Sequence, residues 1–386
     1  MYDLSKIQIE FLTDTATRLE NVPDEEYFGS AYRDFISNSQ LKLINPEEGG
    51  APTRFLEGFS SDSKSPALEL GSAVHQMILE KDKYFLSPVD KPSGKVGAIC
   101  DLLYKYKNEG YSEQIALTMA CEEEDYYKGK MTQKKYDDVL SKGQEYLEFL
   151  KIQDEQPGAI VLTELQKEKL DGCLSSVKHN KLLMDLLFPP PYIEDDLGCR
   201  EAVDIVSYHE DVMIMEFVAS IPNEEFDDPL FNEVIRLKLK AKIDNWSIDF
   251  TRKIVTLNDL KTTGKPLNTF PGITTQRTDV NGDTYNVFEK GSFQSYHYYR
   301  QFAQYLFMLK KYVEHVHGVD NSWKFVVNVI VVETNKPHMS HAFKVGNKWI
   351  KTGYDEFVNL LKRVSYHKLR GFDKFVEMDF NSVTEI

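Results

Sequence analysis

Residues 236–263 read RLKLKAKIDNWSIDFTRKIVTLNDLKTT. In the first third, Leu237, Leu239, Ala241 and Ile243 alternate with Lys238, Lys240, Lys242 and Asp244. That period of two is the signature of a half-buried strand, and it sets Asp244 on the lysine face. The final part places Val255, Leu257, Asp259 and Lys261 on one face of a second strand. A turn near Thr251 and Arg252 makes the two a hairpin. Its register puts Asp244 opposite Asp259, with opposed side chains about 4.5–5.5 Å apart. Apolar residues move from odd positions before Asn245 to even ones after it (Trp246, Ile248, Phe250), which predicts a bulge near Asn245.

Outward from this hairpin the chain keeps a mixed texture. DVMIMEFVA (211–219) and WKFVVNVIVVE (323–333) read as strands, whereas GSFQSYHYYRQFAQYLFMLKKYVEHVHG (291–318) and the region of DEFVNLLKRV (355–364) read as helices. Upstream, Ser65 as N-cap and Pro66 at the first helical position open the helix ALELGSAVHQMILE, which carries His75. Residues 95–190 have helical apolar spacing and little β-branching, and read as a helical insertion. Residues 1–64 hold one short helix, FISNSQLKLI, in a turn-rich, irregular lead-in. The fold class expected is α/β, a mixed central sheet flanked by helices, within a main domain over 65–386. Residues 266–295 read as an extended loop, with a lid, a DNA contact and an oligomer contact all open as roles.

Composition narrows the classes. At 386 residues with 41% apolar and 12% aromatic side chains, the chain can bury a substantial core. Its longest apolar run, FVVNVIVV, is far short of the roughly 20 residues that cross a bilayer, so no membrane partner is expected. Acids stand early in MYDLSKIQIEFLTDTATRLE, without the basic-then-apolar order of a signal peptide, which points to the cytoplasm. Cys100, Cys121, Cys173 and Cys199 are scattered and read as reduced, mostly buried thiols. A net charge of −15 opposes nucleic-acid binding over the whole surface. From Arg236 to Pro266, however, eight Lys or Arg stand against three acids. Lys238, Lys240, Lys242 and Lys265 of this basic island, with Arg300 beyond it, are the candidate DNA contacts. The acidic clusters at 122–125 and 223–229 read as solvated faces rather than metal sites.

Two carboxylates on adjacent strands can share a hard divalent cation, and a lysine beside them can orient a nucleophile or offset developing charge. That set suits metal-assisted phosphodiester hydrolysis. Taken alone, Asp259 and Lys261 also read as two surface charges at a strand end. Gln301 and Tyr305 lie four apart on a helix and share a face, able to support the lysine or a phosphate, while Tyr305 also fits a core stripe. His75 shares its face with Gly71 and Ser72, small residues that admit close approach of another element.

The order G-S-A-V-H (71–75), K-I-D (242–244), D-L-K-T-T (259–263) and Q-F-A-Q-Y (301–305) resembles the RecB-like branch of the PD-(D/E)XK nucleases. Within it the chain looks most like RecE-type, exodeoxyribonuclease VIII-like exonucleases of phage recombination, over roughly residues 35–335. The resemblance implies a restriction-endonuclease-like core. It also implies Mg²⁺ or Mn²⁺ held by His75, Asp244, Asp259 and the main-chain carbonyl of Leu260. Lys261 would be the catalytic lysine and Gln301 and Tyr305 its support. Digestion of linear double-stranded DNA from its ends to leave 3′ single strands follows, with a single-strand annealing partner and a homo-oligomer. Glu201 is the candidate for a further acidic ligand.

Overall fold

The computed structural model of the protein describes residues 3–58, 66–79, 85–86, 89–126, 132–155, 160–194, 198–223, 231–280 and 282–372. The first elements are β1 (Gln8–Leu19), α1 (Asp24–Phe28), α2 (Asn38–Ile44), α3 (Pro52–Glu57) and α4 (Pro66–Leu79). A largely helical stretch follows: β2 (Phe85–Leu86), α5 (Lys95–Asn108), α6 (Glu113–Glu123), α7 (Gln133–Glu155), β3 (Ile160–Val161), α8 (Glu164–Lys178) and α9 (Lys181–Leu187). Then come β4 (Tyr192–Glu194), β5 (Arg200–Ala202), β6 (Ile205–Ile221), β7 (Glu233–Asp249) and β8 (Ile254–Thr263). The chain closes with β9 (Ile273–Thr278), β10 (Thr284–Glu289), α10 (Ser292–Ser295), α11 (Tyr298–His317), β11 (Lys324–Glu333), β12 (Ser340–Lys344) and α12 (Asn347–Arg370).

Two compact units result. Residues 81–170 form one, and residues 1–80 with 171–386 form the other. The smaller unit packs Ile99, Cys100 and Leu103 of α5 against Leu117 and Ala120 of α6 and Val139 of α7. The helical insertion is thus present, but it spans 81–170 rather than 95–190, because α9 and the end of α8 belong with the sheet. Helix α9 owes its start to Asn180, whose side chain accepts from Leu183 N–H.

The larger unit is built on a six-stranded mixed sheet in the order β1-β6-β7-β8-β11-β12. All neighbours are antiparallel except β8 and β11, which run parallel and are joined through α11. Helices α11 and α12 pack apolar stripes on the sheet, with Phe302, Leu309, Phe357 and Leu361 fully buried against Phe217, Leu239 and Leu257. Residues 1–64 are therefore no irregular lead-in, since β1 is an edge strand of this sheet. Helix α2 is set by a capping box between Ser37 and Gln40. Ser65 and residues 224–230 of the acidic segment lie outside the described residues. All four cysteines are free, three of them buried.

The decisive hairpin forms in the expected register. Asn245 pairs with Asn258 and Asp249 with Ile254, around a turn at 250–253. No residue is inserted in β7 at Asn245: its register with β6 is the same on both sides, with the Glu210–Asp244 pair missing from the ladder. The change of parity has another cause. Beyond residue 243, β7 is buried on both faces, and one face is polar, holding Asn245, Ser247 and Asp249. There Asn328 Nδ2 donates to Asn258 Oδ1 (2.9 Å), and Asn258 Nδ2 donates to Asn245 Oδ1 (2.7 Å). Asn258 and Asn245 also donate to the carbonyls of Leu186 and Leu187 at 2.8 and 3.0 Å, capping the C-terminal end of α9. Three asparagines on adjacent strands thus form a ladder behind the hairpin, on the face opposite Asp244 and Asp259.

Removing the middle rung leaves Leu186 O, Asn245 Oδ1 and Asn328 Nδ2 without their partner in a dry layer. Each such group costs about 1–3 kcal/mol. Asn258→Ala is therefore expected to lower the unfolding free energy by about 3 kcal/mol or more in urea denaturation, whereas Lys351→Ala on the exposed face of α12 stays within about 0.5 kcal/mol.

Candidate metal centre and active site

Ladder pairing between β7 and β8 stops at Asn245 and Asn258, one residue short of Asp244 and Asp259. Past that point the Leu260 N–H donates to Asp244 Oδ2 (2.8 Å) in place of a main-chain carbonyl. The carboxylate thereby takes over a sheet hydrogen bond and is fixed in direction. Both acids are buried, at 8% and 1% exposure. Helix α4 reaches them because Gly71 has no side chain: a Cβ there would lie 3.0 Å from Thr262 Oγ1 of β8. His75, one turn on, sets Nε2 2.8 Å from Asp244 Oδ2 and Nδ1 3.2 Å from Glu210 Oε1.

Glu210 is the residue that sequence reading missed. It stands on β6 between His209, which faces Asn245, and Asp211, which faces Ile243, and so comes opposite Asp244. Its backbone is left-handed, with φ of 54°, a conformation that costs a non-glycine residue energy and that clusters at functional sites. Ligand atoms of His75, Glu210 and Asp244 all lie within 4.8 Å of one another. Glu201, the candidate beforehand, sits on the exposed ribbon β4–β5 and is not in this group. The only hint in the sequence was an acid interrupting the strand pattern of 205–221, and such acids are common.

Lys261 and Asp259 form an ion pair, as their shared strand face implies. Gln301 Nε2 on α11 donates to Asp259 Oδ1 (3.0 Å), and Tyr305 lies one turn further along, in hydrogen-bond contact with Gln301. The phenol belongs to both readings offered for it, packing on the core while standing by the two acids.

Burial works against ionising Asp244, but His75, Lys261 and the Leu260 N–H overcome it and hold its carboxyl down at about 2. Asp259 goes the other way: burial and the charge of Asp244 push it up to about 7 despite Lys261. Burial disfavours the imidazolium of His75, yet the charges of Asp244 and Glu210 raise it to about 9. Lys261 is likewise held protonated well above its ordinary range: burial opposes its charge, but Asp259 and Asp244 outweigh that. Burial also raises Glu210. The acids Asp244, Asp259 and Glu210 thus face two groups held in their positive form, the His75 imidazolium and the Lys261 ammonium.

The donor set fits a hard divalent cation. Two carboxylate oxygens, of Asp244 and Glu210, and an imidazole nitrogen of His75 lie within 4.8 Å of one another, Asp259 stands on the neighbouring strand, and Glu210 Oε1 is buried without a hydrogen bond. The second group with ligand spacing, Glu48, His297 and Glu356, does not fit. The guanidinium of Arg300 lies within 2.7 Å of Glu356 and bonds Glu48 as well, so that cluster carries its own cation.

The basic island is largely spent within the protein. Arg300, 1% exposed, is no surface contact. Lys240 is buried, donates to Tyr27 O (2.7 Å) and is pushed down to about 8 by that burial. Lys242 bonds Asp24 of α1 and Glu210 (2.9 Å). Only Lys238 and Lys265 of the candidate DNA contacts remain exposed. Residues 266–295 are not a loop: β9 and β10 form a hairpin of six residue pairs.

Cation binding must displace the protons of Asp259 and His75, both of whose pKa values are raised, so affinity should climb as pH passes about 7 and then about 9. Mn²⁺ should raise Tm more at pH 8.5 than at pH 6. Without metal, the contribution of these two groups to stability should fall as pH rises from about 4 to about 7 for Asp259 and on to about 9 for His75, because the folded state holds protons that the unfolded chain has released. Glu210→Gln should weaken Mn²⁺ binding by about tenfold or more in calorimetry with the fold intact.

No family model and no curated protein matches the chain. A crystal structure of a candidate exonuclease from Eubacterium rectale aligns over 92% of this chain and 88% of its own, at 12% identity and a TM-score of 0.43. That likeness is too distant to decide fold or chemistry, which rest on the geometry above. No helix among the described residues is long and apolar enough to cross a membrane.

Proposed function

We propose that the protein is a Mg²⁺- or Mn²⁺-dependent deoxyribonuclease that hydrolyses phosphodiester bonds at the Asp244–Asp259 centre. One observation carries the reading: Asp244, Asp259, Glu210 and His75 converge with Lys261 and Gln301 where β7 and β8 separate. His75, Asp244, Asp259, Glu210 and the Leu260 carbonyl would hold the cation. Bound there, it would polarise the phosphate and lower the pKa of a water.

The chain's own groups divide the remaining work. Lys261, paired with Asp259, acts as a fixed cation that orients water and offsets charge gathering on the phosphate oxygens. Gln301 fixes Asp259 through Oδ1, leaving Oδ2 to the lysine and the metal side. Lys242 bonds Glu210 and limits the repulsion among the acids. Lys238 and Lys265 are the contacts open to the DNA backbone.

The finer reading is exonucleolytic: digestion of linear double-stranded DNA from its ends, leaving 3′ single strands for a single-strand annealing partner, by a homo-oligomer in the cytoplasm of a bacterial host. The ordered motifs at 71–75, 242–244, 259–263 and 301–305 support it. A non-cleaving DNA-binding protein of the same fold is disfavoured by the intact acid and lysine pair.

With Mg²⁺, end-labelled linear duplex should be degraded while covalently closed circles survive. Asp259→Ala and Lys261→Ala should each cut the rate by about a hundredfold or more while the far-UV circular dichroism stays native, with Tm lowered because each leaves a buried charge without its partner. Equal cleavage of circles and linear DNA would refute the exonuclease reading, and full activity in both variants would refute the site.

A further inference from the structure

Helices α10 and α11 would be continuous but for Tyr296 and His297, and the break has a definite cause. His297 is left-handed, with φ of 50° and ψ of 39°, in a region that non-glycine residues enter only when their surroundings over-determine it. Its imidazole is buried, with Nδ1 2.9 Å from Glu356 Oε1 and 2.8 Å from the Tyr299 hydroxyl. Arg300 ties the same glutamate to Asn38 at the start of α2. Helix α12 closes the arrangement at Gly353, where a Cβ would lie 2.1 Å from Tyr299 O. The polar cluster of Glu48, His297, Arg300 and Glu356, whose acids are paired with the guanidinium, thus has a structural output. It locks a strained turn one residue before the helix that aims Gln301 at Asp259.

That turn presents two tyrosines side by side, with Tyr296 and Tyr298 centroids 5.7 Å apart at 47°. Tyr298 is committed. Phe270 stacks on it at 6.0 Å and 20°, and Lys261 Nζ lies 5.3 Å from its ring centroid. Tyr296 keeps 56% of its surface exposed. An isolated exposed tyrosine needs no explanation. Here the ring stands on a backbone turn that a buried network fixes, with a second aromatic beside it that itself lies against the lysine of the site. Aromatic faces of this kind stack on nucleobases of any identity, because every base has a π-face.

We infer that Tyr296 is a nucleobase-stacking subsite, packing against the base next to the phosphate held at Asp244, Asp259 and Lys261, with Tyr298 as its back wall. The inference rests on the deoxyribonuclease reading and adds to it how the nucleotide is placed. Lys261 sees the phosphate, and Tyr296 sets the nucleoside beside it. Sequence preference is not expected from such a contact, but dependence on the presence of a base is.

The test uses linear duplex with 2-aminopurine at its terminal nucleotide and the full chain carrying Asp259→Ala, so that DNA is bound and not consumed. Binding should quench the 2-aminopurine fluorescence; adding Tyr296→Phe should keep the quench and adding Tyr296→Ala should abolish it. In the otherwise unaltered chain, Tyr296→Ala should raise KM for linear duplex about tenfold, with kcat changed less than about twofold. On a duplex with an abasic terminal nucleotide, the two chains should have the same KM. Equal quenching with and without the tyrosine ring, or an unchanged KM while DNA is still cut, overturns the stacking subsite and leaves the nuclease reading standing. DNA neither bound nor cut by the unaltered chain overturns both.

Discussion

Two carboxylates on neighbouring strands, both taken out of water, cannot keep full charge unless cations stand close by. At about 5 Å their repulsion is roughly 3 kcal/mol even at an effective dielectric near 20. The larger unit is arranged around this one constraint. Asp244 keeps its charge through His75 and the Leu260 N–H, whereas Asp259 is raised and shares its place with Lys261. The compensating groups come from α4, β8 and α11, so these elements must assemble before the pair can be buried. A divalent cation would answer the same demand, which is why the site reads as a metal centre and not as a chance meeting of acids.

The geometry is held from behind as well as from within. On the face away from the acids, Asn245, Asn258 and Asn328 cross-link three strands and cap α9. This fixes the hairpin at the level where its ladder ends and the carboxylates begin. On the acid face, α11 carries Gln301 and Tyr305, and its first turn is locked by Arg300 and His297 against α2 and α12. Lys242 ties Asp24 of the short helix α1 to Glu210, so the N-terminal region is part of the site wall. The buried charge of Arg300 is likewise neutralised by partners distant in the chain, Glu48 and Glu356, as its desolvation requires.

Much of the hairpin and its surroundings was legible beforehand. Strand alternation around 236–263 sets which residues share a face and, with the turn, the register that opposes Asp244 to Asp259. The spacing of Gln301 and Tyr305 likewise puts both on one side of α11, and small residues at 71 and 72 signal the close approach that α4 makes to Thr262. Glu210 was not legible. Its place depends on a left-handed residue within β6, and no periodicity encodes a single reversed dihedral on an acid. The lysines misled for a related reason: alternation separates two faces but does not say that the polar face of β7 will be covered, as it is by Tyr27 and Asp24 of α1.

The sequence by itself determined local terms around the site: the strands of 236–263, the helices that carry His75 and Gln301, the hairpin register, and the face on which Asp259, Lys261 and the Gln301–Tyr305 pair fall. These follow from repeats of two and 3.6 residues and from turn chemistry, which act over a few neighbours. The tertiary structure decided which charges are buried and what neutralises them. It made Arg300 and Lys240 internal, placed Glu210 rather than Glu201 beside His75 and Asp244, turned residues 273–289 into a hairpin and brought β1 into the sheet. Those outcomes depend on contacts between residues far apart in the chain, because desolvation and charge pairing are properties of a packed environment and not of a segment.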